Sequence, residues 1–175
     1  FDCSAVAGNH EFLLKKSMED KNFLHQVNVK YGNGIEQAIK KLSKKEIEWL
    51  TNLPENKIIH IEKETFFLCH GSPWNNNEYV YPNKFCKFKH RYSDYPYRWI
   101  LQGHTHYPMI KKNEDSIIIN PESVGQPRDG SGKAQWAMID IKNRITKLFN
   151  EVYNCEELLE TVEKINPELP YLKNI

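Results

Sequence analysis

The stretch that most constrains this chain is Leu101-Gln102-Gly103-His104-Thr105-His106, in which an apolar run passes through a glycine into two histidines one residue apart. If Trp99 to Gln102 is a strand or the end of one, residues two apart project on the same side, so His104 and His106 reach one site. The glycine lets the backbone turn sharply and approach a ligand, and Pro108 stops the strand. That is the layout of a metal centre. The plainer reading is a surface His-x-His without a role, and the neighbouring stretches must decide between them.

Two other apolar runs end the same way. Ser4-Ala5-Val6-Ala7 reads as a buried strand delivering the polar loop Gly8-Asn9-His10-Glu11. Lys57 to Ile61 and Thr65 to Cys69 read as strands joined by Glu62-Lys63-Glu64, and the second runs into His70-Gly71-Ser72-Pro73. In open α/β sheets such strand ends are the functional edge.

The rest is scaffolding. Lys15 to Asn33 predicts a short helix followed by an irregular stretch, while Ile35, Ala38, Ile39, Leu42, Ile47 and Leu50 keep helical spacing. Ser43 with Glu46 resembles a capping box and predicts two helices abutting there. Trp74 to Tyr97 carries many aromatic residues without a clear period; they either cover a substrate site or pack a long excursion onto the core. Hairpins are expected at 109–120 and 134–153, and a helix from Glu156 to Ile165.

A chain of 175 residues with 39% apolar and 12% aromatic content suits one globular domain spanning residues 1–175. Its 24 basic and 23 acidic residues balance, and no long basic run asks for a nucleic-acid polymer or a membrane surface. Cys3, Cys69, Cys86 and Cys155 show no Cys-x-x-Cys spacing, and two of them fall in expected strands. Buried reduced thiols in a cytoplasmic protein are expected, with a disulfide as the alternative. Residue 1 is Phe, and the chain opens inside what reads as a strand, which points to an N-terminal portion upstream.

Gly8-Asn9-His10-Glu11, His70-Gly71 and Gly103-His104-Thr105-His106, in that order, resemble the last three motifs of the calcineurin-like metallophosphoesterases. His70-Gly71-Ser72-Pro73 with Glu78-Tyr79, and Asn120-Pro121-x-Ser123-Val124-Gly125-Gln126-Pro127-Arg128-Asp129-Gly130, are similar to the small bacterial and archaeal phosphodiesterase-like branch, which includes proteins labelled as related to diadenosine tetraphosphatase. The resemblance implies an α/β (α+β) fold, a β-sandwich flanked by helices in α/β/β/α layers, and a site for two divalent metal ions such as Mn, Fe or Zn. It implies that Asn9, His70 and His104 ligate one metal and His106 the other, with His10 as general acid and Glu11 orienting it. A hydroxide between the metals would attack phosphorus in a small-molecule phosphoester, nucleotide-like, in line. Arg128 holds the phosphate on this reading; its alternatives are a salt bridge to Asp129 or a loop brace.

The departures matter as much. The family's Asp-x-His and Gly-Asp-x-x-Asp motifs are absent from this sequence. Two unit charges 4 Å apart repel by about 4 kcal/mol at an effective dielectric near 20, so two dications repel roughly four times as strongly without intervening anions. The expectation is that carboxylates from an upstream segment complete the site, and that the chain by itself does not hold a metal pair. Glu122 stands where this branch usually has Gly; if the position needs a positive φ, Glu strains the loop. His25, His60 and His90 read as surface or satisfied residues. Two other functions remain open: a catalytically inactive binding scaffold of the same fold, as occurs in a retromer subunit, and a mononuclear zinc hydrolase.

Overall fold

The computed structural model describes residues 3–173. Capping chemistry divides its first part into short helices. Asp20 accepts from the N–H groups of Asn22 (2.8 Å) and Phe23 (3.1 Å), and the Glu46 carboxylate accepts from Ser43 N (2.7 Å), each starting a new helix. The results are α1 (Asn9–Glu19), α2 (Lys21–Tyr31), α3 (Gly34–Lys41) and α4 (Lys44–Thr51). Leu14, Val27 and Ile35 are buried together between them.

A five-stranded sheet follows, built from β1 (Asn56–Ile61), β2 (Glu64–Cys69), β3 (Trp99–Leu101), β4 (Met109–Asn113) and β5 (Ser116–Asn120) in the order β1-β2-β3-β5-β4. The inner strands β2, β3 and β5 run parallel, and β1 and β4 pair antiparallel at the edges. Successive residues of a strand face opposite sides, and both sides of the inner strands are buried. Phe67, Ile100 and Ile118 join Val80, Phe85 and Tyr92 of the excursion and its helix α5 (Phe85–Tyr92). Phe66, Trp99 and Ile119 meet Ala137, Ile139 and Ile141 from the hairpin of β6 (Ala134–Asp140) and β7 (Ile145–Glu151). The fold is thus mixed α/β, a central mixed sheet flanked by helices, as expected. Helix α6 (Glu156–Ile165) and a 3₁₀ turn (Pro170–Lys173) return to the helical end, where Asn166 Oδ1 accepts from Asn33 N at 3.2 Å.

The two helices abutting at Ser43, both hairpins, α6 and the strands flanking Glu62-Lys63 stand where the sequence places them. Several expectations are corrected. Ser4-Ala7 is not a strand: Ala7 N donates to Pro54 O (2.8 Å) and no ladder forms, so Asn9, His10 and Glu11 open a helix and do not end a strand. Cys3 is accordingly exposed and outside any strand; Cys69 is the buried thiol in β2, and all four cysteines are free. Residues 15–31 are helical apart from the break at Asp20, and only Gly32 and Asn33 of the expected irregular stretch lie outside a helix, because Phe23, Leu24 and Val27 bury one stripe against α1 and α3. The excursion contains α5, whose Phe85, Phe88 and Tyr92 do keep helical spacing.

The Tyr92 hydroxyl donates to Gln102 Oε1 at 2.7 Å in the fully buried interior, tying α5 to the strand end that precedes His104. Tyr92→Phe leaves that oxygen without its partner and should lower stability by about 1–3 kcal/mol in a urea titration.

Candidate metal centre

The site forms where β2 and β3 stop. Beyond their last paired residues the ladder continues by one bond, Gly103 N to His70 O (2.7 Å), and Gln102 N donates to Ile119 O (2.9 Å) on the other side. The chain then turns tightly. His104 (φ 65°) and His106 (φ 55°) both adopt left-handed backbone conformations. Strand alternation, expected from the sequence to bring the two histidines to one side, is not what does so: neither residue is in a strand, and turns carry them to the site. Asn120, at the end of β5, holds this turn by donating Nδ2 to Gly103 O (2.7 Å) and Thr105 Oγ1 (2.9 Å).

His70 Nε2 lies 2.8 Å from Asn9 Oδ1 and 2.9 Å from His104 Nδ1. One ring nitrogen carries either one proton or one lone pair, so the two neighbours must share a single hydrogen bond from it. Three donor atoms crowded around a point between them suit a cation, whose ligands at about 2.0–2.1 Å from it lie roughly 3 Å apart. The Gln126 carbonyl, 2.7 Å from His106 Nδ1, fixes the proton on that nitrogen and leaves Nε2 its lone pair. Burial and the neighbouring imidazoles push His70 down to about 4. Burial also lowers His104 and His106, opposed by the Asn77 and Gln126 backbones respectively. Imidazoles held neutral in this way are ready ligands. Asn9, His70 and His104 thus fit one cation, with His106 prepared as a further ligand. Among the described residues, no group of three or more His, Cys, Asp or Glu side chains is arranged to hold an ion by itself.

The helix start places the remaining residues. His10 is exposed in the first turn of α1, its ring 6.3 Å from that of Tyr31. Glu11 Oε2 accepts from Gly8 N at 2.7 Å, closing the helix that presents Asn9 and His10. Gly8 is there for space: a Cβ on it would lie 2.9 Å from His70 Cε1. Arg128 N donates to His106 O (3.0 Å) and to Glu122 Oε1 (3.2 Å), while among the described residues its guanidinium makes no ion pair, with Asp129 or any other carboxylate. The brace is therefore backbone, and the side chain lines the open cleft next to His10.

Glu122 does take the positive φ (81°) that its position threatened. Its buried Oε1 accepts from the N–H groups of both Arg128 and Asp129, and Oε2 has no partner. Tyr79, whose ring centroid is 3.9 Å from that of His104, and Gln126 and Asn120 stand in stretches that carry the family resemblance, but the sequence assigned none of them a role beside the histidines. Tyr79 follows Glu78 in the excursion, and nothing in its spacing distinguishes it from rings that only pack. His25, His60 and His90 are exposed and away from the cluster; His60 Nδ1 pairs with Thr65 Oγ1 at 3.1 Å.

Gly8→Ala should displace the His70 ring, shifting its imidazole NMR resonances and weakening Mn binding by roughly 10- to 100-fold in calorimetry. Burial and the Asp129 charge push the Glu122 carboxyl up to about 7. The folded chain holds this proton that the unfolded chain releases near 4.5, so stability falls as pH rises across that window and is level above it. Glu122→Gln should therefore raise the urea midpoint at pH 8 and leave it nearly unchanged at pH 4.5.

Comparison with known proteins agrees with this architecture. The sequence profile of the calcineurin-like phosphoesterase superfamily domain matches residues 1–144. The Methanocaldococcus jannaschii protein MJ0912 is 28% identical over 183 residues, covering 93% of this chain and 70% of its own length. The crystal structure of hypothetical protein PH1004 from Pyrococcus horikoshii superposes with a TM-score of 0.81 at 19% identity, over 98% of this chain and 72% of that one. The metallophosphoesterase from Sphaerobacter thermophilus gives a TM-score of 0.72 at 20% identity, over 91% and 70%. With its profile matched across most of the sequence, this chain belongs to the calcineurin-like phosphoesterase superfamily.

Proposed function

We propose that this chain carries the catalytic face of a metal-dependent phosphoesterase, hydrolysing a phosphomonoester or phosphodiester of a small, nucleotide-like molecule in the cytosol. The observation that supports it most is the crowding of Asn9 and His104 around His70 Nε2, beside a cleft lined by His10 and Arg128. A scaffold has no use for partly buried polar atoms that compete for one hydrogen bond. Four free cysteines suit a reducing compartment, and no described helix is long and apolar enough to cross a membrane.

On this reading Asn9, His70 and His104 hold one divalent ion and His106 belongs to a second. When bound, such ions neutralise charge on the phosphoryl oxygens and acidify the attacking water. Arg128 binds a phosphoryl oxygen through its guanidinium. His10, in the first turn of α1, delivers a proton to the departing oxygen, and Glu11 orients it by closing the helix start and not by a bond to the ring. Tyr79 shields the buried face of His104 from bulk water.

The test is hydrolysis by the full-length protein loaded with Mn. Activity on bis-p-nitrophenyl phosphate, p-nitrophenyl phosphate or dinucleoside polyphosphates is expected, and failure on all of them would overturn the proposal. His10→Ala should slow esters with poor leaving groups by about 10²–10⁴-fold and nitrophenyl esters far less. Equal slowing of both classes would remove His10 from the acid role.

A further inference from the structure

The cleft beside His10 has a volume of about 890 Å³, far more than one phosphoryl group requires. Its lining is unusual for a chain with nearly equal numbers of acids and bases. Lys30, Arg128 and Lys173 contribute cations, and no aspartate or glutamate lines it. Lys173 pairs with Glu163 at 3.1 Å, but that carboxylate lies outside the lining.

Aromatic surface runs outward from the candidate centre in two directions. On one side Tyr31 stands next to His10, with the Lys30 ammonium 4.8 Å from the Tyr31 ring centroid. The Tyr171 hydroxyl donates to the Lys30 carbonyl and extends that wall. On the other side Tyr79 lies against His104, with Tyr107 also facing the cleft. Tyr31, Tyr79 and Tyr171 are about 40% exposed, at 38%, 41% and 43%, so these rings are not consumed by the core.

Flat rings and cations without carboxylates are the chemistry that recognises a heteroaromatic ring bearing several negative charges. We propose that this cleft seats the part of the substrate beyond the reacting phosphoryl group, and that this part is a nucleoside carrying at least one further phosphate. Its base stacks on Tyr31, and its additional charge meets Lys30 and Lys173. The proposal rests on the phosphoesterase reading for the direction in which the substrate lies, while its ligand chemistry is measurable without turnover.

The experiment measures binding of ADP, AMP, ribose 5-phosphate and inorganic pyrophosphate to the full-length protein by calorimetry, alongside hydrolysis of p-nitrophenyl phosphate. ADP should bind on the order of tenfold more tightly than AMP, ribose 5-phosphate or pyrophosphate. Tyr31→Ala should weaken ADP on the order of tenfold and pyrophosphate little, and Tyr31→Trp should restore it. Lys30→Ala should narrow the gap between ADP and AMP. Equal affinity for ADP and ribose 5-phosphate, or for ADP and pyrophosphate, overturns the inference, as does an unchanged ADP affinity in Tyr31→Ala with native circular dichroism. Nucleotide binding without hydrolysis of any phosphoester would keep the subsite and discard the phosphoesterase reading; hydrolysis without ADP preference would do the reverse.

Discussion

The Gly103 amide donates to the His70 carbonyl at 2.7 Å, and the chemistry of this fold hangs from that bond. It extends the parallel pairing of β2 and β3 by one step past the strands, into residues that no longer belong to the sheet. Two loops distant in sequence are thereby fixed at the spacing of a ladder, and their imidazoles meet. The strands can supply that constraint because their side chains are buried on both faces. A register slip of one residue would exchange Trp99 with Ile100 between two different cores and move His104 with them.

The price of this arrangement is local. His104 and His106 sit in left-handed conformations that cost about 1–2 kcal/mol each for residues with a side chain. Asn120's two bonds to the turn, and the bond from Arg128 N to His106 O, at about 0.5–1.5 kcal/mol apiece, are of the size needed to offset it. Glu122 repeats the pattern in the neighbouring loop, where one buried carboxylate oxygen gathers two amides across a strained backbone. Both devices act on the positions of His106 and Arg128, so loop strain and the placement of these two side chains are one problem in this molecule.

Much of this was legible in the residues. Apolar runs ending in Gly and His marked the ends of β2 and β3, and Ser43 with Glu46 announced a helix boundary that the structure reproduces. The family's motifs in order then fixed where to look for the site. What escaped had physical causes. Ser4-Ala7 is small and apolar enough for a strand, but strand formation needs a pairing partner, which no local pattern reports. Helix α2 was hidden because only Phe23, Leu24 and Val27 mark its inner stripe, though Asp20 was a readable cap. The roles of Tyr79 and Gln126, though both stand in motifs of the resemblance, were unreadable because one acts through a ring laid on an imidazole and the other through a carbonyl, and neither act depends on sequence spacing.

The left-handed turn at His104 and His106 also bears on how such a chain can diverge. Most side chains are disfavoured there by their own Cβ, whereas glycine, asparagine and aspartate tolerate it. Substitutions that survive at either position are thus channelled towards residues that are oxygen donors or have no donor at all. A lineage losing these imidazoles would keep an amide or carboxylate oxygen at the turn, or no side-chain donor at all, with its backbone path preserved.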